Sequence, residues 1–128
     1  MTTLTIEATE ITPNVTLDKD KGRFIIEGRC LPEDVKGFFN PIIEWFEGYL
    51  KDPNDVTNII LDFEYFNTAS SKMILIILSK LRDIQKFGKK IEVTWRYPKY
   101  DVEMEEAGME FSDLLSIPFN LKPKVDNS

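Results

Sequence analysis

A chain of 128 residues, 42% apolar and 30% charged, suits a soluble globular domain with one core, so residues 1–128 are read as one domain. It has no histidine, which excludes a Ser-His-Asp triad, a Cys-His pair and any His-ligated metal site. Cys30 is the only cysteine, so neither an internal disulfide nor a structural zinc site is possible, and a reducing cytoplasm is the expected home.

Taken in chain order, Leu4 to Glu7 reads as a short strand. Asn14–Leu17 and Arg23–Glu27 read as two more, joined by the polar turn Asp18-Lys19-Asp20-Lys21-Gly22. Leu31-Pro32-Glu33-Asp34 opens a helix to about Leu50. Pro32 is placed in its first turn, with Glu33 and Asp34 at the positive end of the dipole. Phe38, Ile42, Trp45, Phe46 and Tyr49 recur at helical spacing as its core stripe. Pro41 is expected to kink this helix or split it at Asn40.

Val56 to Phe63 shows little alternation through Asn58-Ile59-Ile60-Leu61, which suggests a central strand covered on both faces. A helix follows from about Ala69 to Phe87. Its stripes are Met73, Ile77, Leu81, Ile84 and Ile74, Leu78, and Gly88 ends it. Ile91 to Tyr97 alternates as a strand. Asp101 to Leu115 reads as a third helix bent at Gly108, Pro118 to Leu121 as a short strand, and Lys122 to Ser128 as a frayed end. The expected fold is α/β: a mixed sheet of four to five strands with an N-terminal hairpin and helices packed against it.

Charge is uneven. Lys72–Lys99 holds eight basic and two acidic residues, whereas Asp101–Ser128 holds seven acidic and two basic ones. The chain as a whole is at −6, and no nucleic-acid motif accompanies the basic stretch, so it is read as a solvated helix face and no nucleic-acid partner is expected. The acidic run Glu103, Glu105, Glu106 and Glu110 is read the same way. No phosphate loop, EF-hand or cofactor motif is present, so neither metal nor cofactor is expected. The longest apolar run, Met73 to Leu78, is too short to insert in a membrane.

The junction Asp62-Phe63-Glu64-Tyr65-Phe66-Asn67-Thr68-Ala69-Ser70-Ser71-Lys72 carries the most chemistry. Three hydroxyls fall within four residues where a strand gives way to an apolar helix. A helix N-terminus favours an anion such as a phosphate, so Thr68 is the candidate phosphorylation site. The plainer role for Thr68 is a helix N-cap, and Ser70 and Ser71 suit the first turn. Asp62 and Glu64, two apart on a strand, are assigned to one side of it, as an exposed end or as partners of nearby Lys or Arg.

Tyr65-Phe66-Asn67-Thr68-Ala69-Ser70-Ser71-Lys72 resembles the central motif of the SiaC family of bacterial regulatory phosphoproteins. Gly28-Arg29-Cys30-Leu31-Pro32-Glu33-Asp34, Phe38 to Ile42 and Trp45 resemble that family's first-helix region. Asp101 through Gly108 and Phe111 resemble its acidic C-terminal region. The resemblance implies a fold similar to STAS domains of the SpoIIAA type, whose Asp-Ser-(Ser/Ala)-Gly motif is matched here by Asn67, Thr68, Ala69 and Ser70. It further implies a circuit: a SiaB-like serine/threonine kinase phosphorylates Thr68, a SiaA-like metal-dependent phosphatase reverses this, and the unphosphorylated protein activates a diguanylate cyclase, raising cyclic di-GMP and favouring biofilm. The implied partner surface is Asn67, Thr68, Ser70, Ser71 and Lys72 with Arg29 and Leu31, on a chain that is no enzyme and a monomer when alone. An anti-anti-sigma-like antagonist of an anti-sigma kinase is the alternative, and a small enzyme or ligand carrier a third reading.

Overall fold

The computed structural model describes residues 1–125. Six strands form one sheet in sequential order: β1 (Leu4–Ile6), β2 (Asn14–Asp18), β3 (Arg23–Cys30), β4 (Val56–Phe66), β5 (Lys90–Pro98) and β6 (Phe119–Lys124). The first three are antiparallel and β3 through β6 are parallel. Parallel neighbours need crossovers, and three helices supply them: α1 (Val35–Tyr49), α2 (Thr68–Arg82, extended by a 3₁₀ turn over Asp83–Phe87) and α3 (Val102–Leu115).

Moving one strand at a time in one direction with crossovers of the usual right hand puts all three helices on one face. Accordingly α1 packs beside α2 and α2 beside α3. A single core joins them to alternate strand residues, including Phe24 and Ile26 of β3, Ile59, Leu61 and Phe63 of β4, and Val93 and Trp95 of β5. Each such side chain taken fully out of water contributes about 1.5–3 kcal/mol. The other sheet face has no helix among the described residues, which corrects the expectation of a central strand covered on both sides. Ile60 produced that impression. It lies half-buried on the open face, between Ile25 and Thr94 in the strand register.

Other boundaries differ for identifiable reasons. α1 starts after Pro32, at Val35, because the Asp34 carboxylate caps it by accepting from the Gly37 N–H at 3.0 Å. Pro41 does not split α1. Pro41 is exposed, and so is Gly37, whose carbonyl loses the i→i−4 bond, so water satisfies that group. Phe39 replaces the half-buried Phe38 in the core stripe, and Trp45 is half-buried with its indole N–H donating to the Thr2 carbonyl at 2.7 Å. The sheet has six strands against the four to five expected. β6 extends through Lys122–Lys124, expected to fray, while 126–128 lie outside the described residues.

α3 is unbroken at Gly108, which is needed for closeness rather than for a bend. A Cβ there would lie 2.5 Å from Trp95 Cδ1.

Candidate functional site

The parallel register brings the carboxyl ends of β3, β4 and β5 to one edge, where α1, α2 and α3 begin. Cys30 lies opposite Phe66, and the Asn67 N–H donates to the Cys30 carbonyl at 3.3 Å. The chain then leaves the sheet at Asn67, in extended conformation, and enters α2.

Asn67, not Thr68, is the N-cap. Its Oδ1 accepts from the Ser70 N–H at 2.8 Å, and its carbonyl accepts from the Ser71 N–H at 3.0 Å. Asn and Thr both cap well, so local sequence did not separate them. The consequence is chemical. Thr68 is the first helical residue, it is exposed, and among the described residues its hydroxyl has no hydrogen-bond partner. The two serines are placed differently. Ser70 is fully buried, which corrects its assignment to a partner surface. Its hydroxyl finds no nitrogen or oxygen partner and sits against the Cys30 thiol. Ser71 donates its hydroxyl to the Thr68 carbonyl at 2.6 Å.

If Asn67 holds the cap, Asn67→Ala should lower stability by about 0.5–2 kcal/mol, whereas Thr68→Ala should stay within about 0.5 kcal/mol of the parent. Urea unfolding of both variants checks this. A larger loss for Thr68→Ala would reverse the assignment.

Arg29 is exposed and pairs in register with Tyr65, and Leu31 is half-buried with its N–H on the Ile11 carbonyl at 2.6 Å. These two therefore flank the end of β4 beside Asn67. Lys72, also exposed, lies one turn into α2. Between Gly28 and Arg29 the register skips a residue, so Glu64 bulges from β4. Gly28 takes φ +121° there, open to glycine and rarely to others. Asp62 and Glu64 stay on one side of the strand, as alternation assigns them, and line one hollow with Lys124. Glu64 is exposed, while Asp62 is nearly buried, with Lys124 Nζ 2.6 Å and Arg96 Nη1 4.0 Å from its oxygens.

Two exposed tyrosines at this edge were not anticipated. Tyr65 ends β4, and Tyr100 lies in the β5–α3 connection with φ 76°. A cleft of about 260 Å³ between the end of β4 and α3 is lined by Glu64, Tyr65, Phe66, Glu103 and Met104. No periodicity marks such residues, because exposure at a strand end depends on which loops meet there. Burial pushes the Cys30 thiol up to about 11, partly offset by the Ser70 hydroxyl, so it stays protonated and unreactive at neutral pH.

A mixed sheet covered on one face, with a free hydroxyl at the start of the helix after its central strand, is the α/β architecture that the resemblance to a regulatory phosphoprotein family implied. The chain belongs to the SiaC family: the model for "SiaC family regulatory phosphoprotein" matches residues 6–124. It is 30% identical over 122 residues to an uncharacterised protein of Pseudomonas aeruginosa strain UCBPP-PA14, covering 95% of this chain and 97% of that one. Its fold is similar to crystalline apo-SiaC from Pseudomonas aeruginosa, with TM-score 0.84 and 30% identity over 95% of this chain and 99% of that one. It is also similar to SiaC from a crystal structure of the diguanylate cyclase SiaD with its activator SiaC, from the same organism. That match has TM-score 0.88 and 29% identity over 94% of this chain and 99% of the other. The protein is thus a regulatory phosphoprotein with the SiaC fold.

Proposed function

We propose that this protein is a phospho-switch without catalytic activity of its own, which in its unphosphorylated form binds and activates a diguanylate cyclase. The observation that carries the reading is the Thr68 hydroxyl: exposed at the first position of α2, while Asn67 does the capping. Modification there needs no structural bond to be broken. The likeness to SiaC bound to SiaD supports a cyclase as the partner. A SiaB-like kinase and a SiaA-like metal-dependent phosphatase set the state of Thr68. The chain acts as one domain, monomeric when alone, in the cytoplasm. Among the described residues no helix is long and apolar enough to cross a membrane. The docking surface is formed by Asn67, Thr68, Ser71 and Lys72 with Arg29 and Leu31.

Two results test the reading. Incubation with the cognate kinase and ATP, followed by peptide mapping, should place nearly all phosphate on Thr68. Ser70 is fully buried and the Ser71 hydroxyl is held by the Thr68 carbonyl. Full modification of Thr68→Ala would show that another hydroxyl is the acceptor. Capture with the unphosphorylated protein from its native cell should recover a cyclase. Recovery of a sigma-factor antagonist in its place would move the protein to the anti-anti-sigma class.

A further inference from the structure

We propose that the helix-free face of the sheet carries a second site, for a small molecule bearing a diphosphate or triphosphate, distinct from the Thr68 edge and independent of the switch. A cavity of about 470 Å³ opens on that face. This is within the range of small-ligand sites, about 300–1,000 Å³. Its cations are Lys21 on the β2–β3 turn, Arg23 at the start of β3 and Arg96 on β5. Ile25 and Ile60 form an apolar floor, and Asn58 lies two residues before Ile60 on β4.

The polar side chains of the lining offer hydrogen-bond donors. No carboxylate lines it, in a chain whose net charge is −6. Nearby carboxylates are Asp18, Asp62 and Glu92. Asp18 accepts the Lys21 backbone N–H at 3.0 Å, and Asp62 is taken by Lys124 at 2.6 Å. Glu92, opposite Asn58 in register, is exposed. Asn58 presents its amide N–H groups, because its Oδ1 accepts from Thr94 Oγ1 at 3.3 Å. Neither Lys21 nor Arg23 enters an ion pair among the described residues. Arg96 forms a long ion pair with Asp62, at 4.0 Å through Nη1, which leaves its other guanidinium donors unused among the described residues. Arg23, opposite Asp18 in register but in no ion pair with it, and Arg96, paired at one nitrogen, keep N–H groups suited to bidentate contact with phosphate oxygens.

The spacing selects the ligand. Arg23 lies level with Asn58, and Arg96 lies two strands away and four residues further along, level with Asp62, so the two backbones stand about 16 Å apart at ordinary strand dimensions. Both long side chains line the one cavity, so a single phosphate meets one of them, whereas a linked pair or triplet of phosphates reaches from one toward the other. The Ile25–Ile60 floor then lies under whatever the phosphates are attached to.

The test is a titration of the isotope-labelled full chain with sodium pyrophosphate, followed by amide NMR at constant ionic strength. Expected are saturable shifts confined to Lys21–Ile25, Asn58–Ile60 and Thr94–Arg96, with inorganic phosphate binding at least tenfold more weakly. Arg23→Gln and Arg96→Gln should each weaken pyrophosphate at least tenfold. Lys36→Gln, an equal charge change on exposed α1, should leave it unchanged. Arg23 is exposed at a strand end, so its variant keeps the fold even if Arg96→Gln does not. Shifts spread over lysines elsewhere, an equal loss with Lys36→Gln, or no shift at all would overturn the site. Binding of a glutamate-rich peptide at these residues without pyrophosphate would assign the face to an acidic protein instead.

Discussion

The Thr68-phosphorylated protein should bind its cyclase at least 100-fold more weakly than the plain form, while melting at the same temperature or slightly higher. The two halves of this expectation have separate causes. Within the domain, phosphate adds a charge of about −1.5 to −2 at the first position of a helix. Favourable interaction with the N-terminal dipole is worth about 0.3–1 kcal/mol at an exposed position. Because Asn67 Oδ1 holds the Ser70 N–H, no cap is lost when Thr68 is modified. At the interface the same charge is unfavourable. A dianion buried against a surface shaped for a neutral hydroxyl is left unpaired, which costs several kcal/mol. Every 1.4 kcal/mol is about tenfold in affinity. Thr68→Asp should reproduce the block only in part, having one charge and two acceptor oxygens. Thr68→Ala should bind normally and escape the kinase. Calorimetric affinities and melting curves of the two forms decide the matter. Equal affinities would remove the electrostatic mechanism, and a large fall in melting temperature would mean that phosphate acts by unfolding α2.

The order of elements and the strand-to-helix junction at Asn67–Thr68 were legible in the sequence because both are written in local signals. Alternation at Ile91, Val93 and Trp95 and helical spacing along α2 follow from which side chains meet the core. What stayed illegible depends on contacts distant in sequence. Ile60 looks like a core residue and lies on the open face, half-buried by its strand neighbours. Glu64 to Phe66 look like a regular continuation of the strand, yet a bulge opposite Gly28, 36 positions before Glu64, leaves Glu64 unpaired and returns Phe66 to the core. Lys122–Lys124 look like a polar tail, but they pair with Arg96–Pro98, and Lys124 also neutralises Asp62. At the site, the motif located the helix start to within a residue. Only the backbone geometry told which of Asn67 and Thr68 makes the cap, and only burial separated Ser70 from the surface residues around it.

Gly108→Ala should destabilise the domain by about 2 kcal/mol, although alanine is ordinarily the better helix former. Removing a helical glycine favours the helix by about 1 kcal/mol. Against that stands the new methyl group, which would lie 2.5 Å from Trp95 Cδ1, 2.7 Å from Nε1 and 2.8 Å from Cγ. The indole has nowhere to go. It is fully buried, its N–H donates to the Met104 carbonyl at 3.0 Å, and its ring lies 5.6 Å from Phe111 and 5.9 Å from Phe63. Overpacking of this kind costs about 1–3 kcal/mol, and contact with a rigid ring places it near the top of that range. The net loss corresponds to a fall of about 8 °C in melting temperature for a domain of this size. Gly48→Ala in α1 supplies the contrast. Its methyl would meet only the flexible Met1 Cε, at 3.3 Å, so helix propensity should win and stability rise by up to about 1 kcal/mol. Matched thermal and urea unfolding of the two variants measures the difference. Opposite signs are expected, and a Gly108→Ala protein as stable as the parent would mean that α3 does not rest on Trp95 as closely as described. The contact matters beyond stability. It seats α3 against β5, and so fixes the Asp101 cap and Met104 beside the end of β4, at Tyr65 and Phe66.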